Sequence, residues 1–156
     1  MKRNHRFEHE GIKFRINRTA PLIIVKASLN GKGPFDFVVD TGASMTVISP
    51  AVAKRAGVNA KGVKAKATGA HGHIDATIGR LKSMKIGDTE ASGLSVAIMS
   101  LAIVNRATNL KLGGVIGYNL LKRYVVTIDY SKRRIFFKAA QSPKARRSKR
   151  SSERKR

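Results

Sequence analysis

Asp40 is followed by Thr41 and Gly42 and preceded by Phe35-Asp36-Phe37-Val38-Val39. An apolar, strand-like run thus ends in a carboxylate, a hydroxyl and a glycine. A carboxylate at the end of a buried strand is costly unless something uses or pairs it. Other candidates for chemistry are few. The chain has no cysteine, which excludes disulfides, thiolate metal sites and a cysteine nucleophile. His5 and His9 stand four apart, a helical metal spacing, but no third ligand follows nearby. His71 and His73 form a His-x-His with only Asp75 beside them, a pattern that surface histidines explain better than a metal does. Phosphoryl transfer to an aspartate would need further carboxylates to hold magnesium, and the nearest acids, Asp36 and Asp75, do not fit that pattern. The residues imply no metal and no cofactor.

The elements that must position Asp40 read mostly as strands. Ile12, Phe14 and Ile16 alternate with polar residues and predict a half-buried strand. Pro21 to Leu29 predicts a second strand, and Asn30-Gly31 a tight hairpin, because both residues tolerate positive φ. Phe35–Val39 is then the return arm, delivering Asp40. Thr46-Val47-Ile48 reads as a short strand. Ser49-Pro50 signals a helix start, with the helix over Ala51–Ala56 stopping at Gly57. Residues 58–66 read as a loop or weak strand. Thr68 to His73 is a glycine-rich hairpin tip between β-like stretches. Ile74–Ile78, Leu81–Ile86 and Leu94–Ala102 read as strands. Tyr118–Arg123 predicts a short helix, and Tyr124–Asp129 and Arg134–Lys138 a final hairpin. The sum is an all-β domain with two short helices. Its expected division is a basic leader with one strand (1–18), the folded domain (19–138) and a disordered basic tail (139–156).

The formal net charge is +23, of which residues 143–156 contribute +7. The remainder is strongly basic in its own right, so attraction to nucleic acid or an acidic partner is expected, weakly, through the tail. The tail has no aromatic residues to stack on bases. No secretory signal follows the basic start, and no apolar run approaches the ~20 residues of a membrane span. A cytoplasmic location without a membrane span is the expectation.

Two separated motifs resemble one family. Asp40-Thr41-Gly42-Ala43-Ser44, preceded by Asn30-Gly31-Lys32-Gly33-Pro34-Phe35, is similar to the active-site loop of bacterial retropepsin-like aspartic proteases. Val115-Ile116-Gly117-Tyr118-Asn119-Leu120-Leu121 resembles the apolar-apolar-glycine strand and following helix of that family and of retroviral proteases. The resemblance covers about residues 20–138 and implies a retropepsin-like β-barrel with one or two short helices, working as a two-fold homodimer on peptide or protein substrates.

Peptide hydrolysis by this route uses two carboxylates sharing one proton. One activates water, and the other polarises the scissile carbonyl. The sequence holds one Asp-Thr-Gly. The second carboxylate must therefore be Asp40 of another copy across a two-fold axis. By resemblance, Thr41 bonds the partner loop and the Gly42 N–H bonds the carboxylate. Ala43 stands where many relatives have a hydroxyl, and losing that donor implies activity extending toward milder pH. Retroviral enzymes pair an acid at the place of Ser44 with an arginine at the place of Tyr118; this chain has lost both. Gly117 is expected beneath the catalytic loop, with Asn119 supporting it. Ala43, Ser44, Val115, Ile116 and the flap residues Gly69, Ala70, His71 and Gly72 are the expected substrate contacts. The competing expectations are a silent dimeric binding module with the same fold, and a nucleic-acid-associated protein acting through its tail.

Overall fold

The computed structural model describes residues 10–69 and 72–140. The first nine residues of the leader, Ala70 and His71 at the hairpin tip, and the tail from residue 141 lie outside the described residues.

The elements in order are β1 (Ile12–Lys13), β2 (Arg15–Ile16), β3 (Ile23–Leu29), β4 (Lys32–Val39), β5 (Val47–Ile48), α1 (Pro50–Arg55), β6 (Ala60–Gly69), β7 (Gly72–Ile86) and β8 (Thr89–Ile98). There follow α2 (Ala102–Thr108), β9 (Gly114–Ile116), α3 (Tyr118–Leu121), β10 (Tyr124–Asp129) and β11 (Arg134–Ala139). The main sheet runs β2-β3-β4-β9-β5-β8-β7-β6, and a further pairing of β3 with β7 closes its middle six strands into a ring. A second sheet, β1-β11-β10, joins the first strand to the last two. The expected strand at 12–16 is two short strands. β1 pairs with β11 and β2 with β3, so this segment joins both sheets.

The closure depends on Asn30. The β3–β4 turn puts Asn30 at φ 49° and Gly31 at φ 75°, the left-handed pair that a two-residue hairpin needs. From there the Asn30 side chain accepts the Lys82 and Ser83 amides at 2.9 and 3.1 Å and donates to the Ala56 carbonyl at 2.9 Å. One side chain thus ties the turn to β7 and to the end of α1. The α1 helix starts where the sequence expects: Ser49 caps the Val52 amide at 3.3 Å and Pro50 opens the first turn.

Two local expectations fail for identifiable reasons. Residues 94–102 do not form one strand. β8 ends at Ile98, and Ser100 accepts the Ala102 amide at 3.3 Å to begin α2, which ends at Asn109 with φ 52°. Residues 74–86 form one strand through Gly79. A Cβ there would meet Val58 at 2.8 Å and Ile98 at 3.0 Å, so the glycine makes room for packing and does not break the strand.

The interior follows the period of two along β4. Phe35 and Phe37 enter the main core with Leu29, Ile48, Leu81, Ile116 and Leu120. Val38 points the other way, into a smaller apolar cluster with Ile24, Leu101 and Leu112. By the same period of two, Asp36 and Asp40 fall with Val38 on that second face. No helix among the described residues is long and apolar enough to cross a membrane.

Candidate active site

β4 and β9 run parallel, with Val38 opposite Val115 and Val39 opposite Ile116. Both strands therefore end at the same level. Asp40 leaves the end of β4 with its amide on the Ile116 carbonyl at 3.0 Å, and Gly117 leaves the end of β9 beside it. Within the loop, the Asp40 carboxylate accepts the Gly42 amide at 2.8 Å, and the Ala43 amide donates to the Asp40 carbonyl at 3.3 Å. A Cβ on Gly42 would lie 3.2 Å from the carboxylate oxygen, so glycine lets the amide approach it. Asp40, Thr41, Gly42 and Ser44 are exposed, and Ala43 is half-buried.

The loop rests on the start of α3. The Tyr118 amide donates to the Ala43 carbonyl at 2.7 Å. A Cβ on Gly117 would lie 2.5 Å from the Met45 carbonyl carbon and oxygen and 2.9 Å from the Ala43 oxygen, so backbone crosses backbone here. Beneath this crossing lies Thr46, fully buried. Its amide and hydroxyl both donate to Asn119 Oδ1, and the hydroxyl accepts the Gly117 amide at 3.2 Å. Asn119 Nδ2 in turn donates to the Ser95 carbonyl on β8 at 2.7 Å. Four segments meet through two side chains.

The structure therefore brings Asp40, Thr41, Gly42, Ala43, Ser44, Gly117 and Asn119 together. Val115 is half-buried and packs on the second apolar cluster, on the Asp40 side of the sheet. Its neighbour Ile116 turns into the main core with no exposed surface. Gly69 and Gly72 pair across the end of the β6–β7 hairpin, outside this hydrogen-bonded cluster. Ala70 and His71 lie outside the described residues. Thr46 went unrecognised as a site residue because, in sequence, it reads only as the first residue of a short strand. Its role depends on Asn119, 73 positions away.

Among the described residues no hydrogen bond joins the Asp40 carboxylate to another acid. Asp36 lies on the same face but is held by Arg15 at 2.9 Å and Lys26 at 2.8 Å. Asp129 sits in the β10–β11 turn, where the Ser131 hydroxyl and the Lys132 amide bond its carboxylate and hold its pKa below the ordinary value. Next to the loop is an apolar depression of about 270 Å³ lined by Val39, Thr41, Tyr118, Leu121, Tyr124, Val126 and Ile128, with Lys122 at its edge. Tyr118 on its wall is 56 % exposed, and Val125 on the neighbouring strand is 59 % exposed. β10 forms the edge of its sheet among the described residues.

Residues 25–120 match the profile of a family described as Aspartyl protease. The chain is similar to a retropepsin-like aspartic protease from Rickettsia conorii, with 23 % identity over 81 % of this chain and 88 % of that one, at a TM-score of 0.55. It is also similar to the retroviral protease-like domain of Ddi1 from Leishmania major, with 18 % identity over 78 % of this chain and 96 % of that one, at a TM-score of 0.51. At such identities the structural likeness concerns the fold, which is retropepsin-like. No curated protein sequence gave a match.

Proposed function

This chain belongs to the aspartyl protease family, and from that premise we propose that it is an endopeptidase whose catalytic pair is Asp40 from each of two copies. The observation that carries the reading is an Asp-Thr-Gly loop built and supported as a rigid unit, yet exposed and with one carboxylate only. A single such group gives half of the required acid–base pair. In the dimer, one Asp40 takes a proton from water as that water attacks the scissile carbonyl. The partner's Asp40, protonated, donates a hydrogen bond to the carbonyl oxygen.

The dimer face follows from the same surface. Thr41 and Gly42 are exposed beside the apolar depression, Tyr118 stands on its wall, and β10 presents an apolar edge with no partner strand among the described residues. An exposed edge of this kind is ordinarily covered. A two-fold axis at Thr41 would cover it and bring the two aspartates together. Substrate would lie on the face that Asp40 shares with Val38 and Val115, under the β6–β7 hairpin acting as a flap. Residues 19–138 form the catalytic domain in this reading, and the protein works in the cytoplasm.

The test is a peptide-pool digestion across acidic to neutral pH, beside an Asp40→Asn variant. Asparagine retains the acceptor for the Gly42 amide, so the loop keeps its shape. Cleavage by the native protein that vanishes in the variant supports the reading. A verified dimer that cleaves nothing refutes it in favour of a binding module.

A further inference from the structure

At the end of β4 opposite Asp40 lies a second and larger cavity of about 620 Å³ between α1 and α2, lined by Asp36, Leu101 and Leu112 from the Asp40 face and by Phe35 and Val52 from the main core. Asp40 stands four positions after Asp36 at the cavity's edge, a distance of about 13 Å along an extended strand. Its floor is apolar, with Phe35, Val52, Leu101 and Leu112 all buried. Its rim is cationic: Lys26, Arg55 and Lys111. Lys26 is committed to Asp36, which also holds Arg15. Arg55 and Lys111 are exposed and make no ion pair among the described residues. The Arg55 guanidinium lies 4.7 Å above the Phe35 ring, a stacking that leaves its N–H donors available to an anion.

We infer that this cavity is an accessory site for an acidic segment of the protein substrate, several residues from the bond cleaved at Asp40. The inference rests on the peptidase reading above for its link to cleavage, but the binding itself does not. Carboxylates fit the free cations, and the apolar floor accepts the side chains between them. The cavity offers bases no stacking platform, since Phe35 is buried and capped by Arg55, so a peptide suits it better than a nucleic acid. An extended peptide covers the span to Asp40 with about four residues.

Binding of a fluorescein-labelled, glutamate-rich peptide by the Asp40→Asn protein tests this without cleavage. Fluorescence anisotropy should show binding weakened about tenfold by Arg55→Glu with Lys111→Glu. A control with Lys82→Glu and Lys132→Glu makes the same change in net charge at exposed positions outside the cavity and should change binding little. Lys111→Glu alone, at an exposed position, should weaken binding part of the way and guards against misfolding of the double variant. Equal loss in the control would show bulk attraction only and overturn the inference. So would an RNA oligonucleotide of matched charge losing more affinity than the peptide in the cavity variant. In the active protein, the double variant should raise KM for a substrate with an acidic flank and leave kcat unchanged. Cavity-dependent binding without any cleavage would refute the peptidase and leave the acidic-peptide site standing.

Discussion

Thr46 gives both its amide and its hydroxyl hydrogen to a single acceptor, Asn119 Oδ1, at 2.8 and 2.9 Å. The same hydroxyl oxygen receives the buried Gly117 amide. The Asp40 loop and the α3 start are therefore one hydrogen-bonded unit. Thr46→Val keeps the shape and leaves the Gly117 amide without a partner, which should cost about 1–3 kcal/mol. Denaturant unfolding measures that loss. Asn119→Ala removes the acceptor that holds the Thr46 hydroxyl, so a double-mutant cycle should give clearly less than additive losses. Additive losses would mean that the two residues act separately.

Gly117 makes a sharper prediction. Its missing Cβ would stand 2.5 Å from the Met45 backbone, and backbone cannot rotate away as a side chain can. Gly117→Ala should lose about 3 kcal/mol by overpacking, lowering Tm by about 10 °C. Calorimetry of the purified variant decides it. An unchanged Tm would mean that the crossing is looser than described.

The sequence made the loop legible because its chemistry is local: a strand, a carboxylate and a glycine whose amide meets that carboxylate two residues away. The Asn30-Gly31 turn was legible for the same reason, both residues sitting at positive φ. Pairings far apart in sequence were legible only through the resemblance, which set Gly117 and Asn119 beside the loop. Thr46 was not, because it is an ordinary polar residue until β5 and α3 meet. Residues 58–66 read as a loop or weak strand because the strand character of β6 comes from pairing with β7. α2 was hidden because Leu101 offers no side-chain cap and the helix exposes Ile103 and Val104, so its pattern is not that of an amphipathic helix.

Asn30 was read as a turn former only, yet its side chain also closes the barrel. Asn30→Gly keeps the turn's backbone freedom and removes the bonds to Lys82, Ser83 and Ala56. It should therefore lose about 2 kcal/mol even though glycine suits the turn. Hydrogen exchange should show the Lys82 and Ser83 amides opening first. Full retention of stability would show that the turn alone sets the register.

Asp129 predicts a small pH effect at the β10–β11 turn. The Ser131 hydroxyl and Lys132 amide lower its pKa in the folded chain. A carboxylate depressed on folding stabilises the fold above its unfolded pKa and loses that contribution as pH falls through the folded value. The effect therefore belongs below about pH 4. Ser131→Ala removes the largest cause, so carboxyl NMR titration should show the Asp129 pKa rising toward the ordinary value. No movement would assign the shift to the Lys132 amide instead.

Tyr118 tests the dimer apart from the chemistry. It is 56 % exposed, its amide holds the Ala43 carbonyl, and its side chain stands on the wall of the depression beside Thr41. The backbone bond that supports the loop does not depend on the side chain. Tyr118→Asp should therefore leave single-chain stability within about 0.5 kcal/mol while placing two desolvated charges near the proposed axis. A like-charge juxtaposition there costs several kcal/mol, so sedimentation should show the variant as a monomer at concentrations where the native chain is a dimer. Peptide cleavage should fall in step with the dimer fraction, because in the proposed mechanism each copy supplies half of the acid–base pair. If the monomeric variant cleaves as fast as the native protein, Asp40 does not need its counterpart and the shared-site mechanism is wrong.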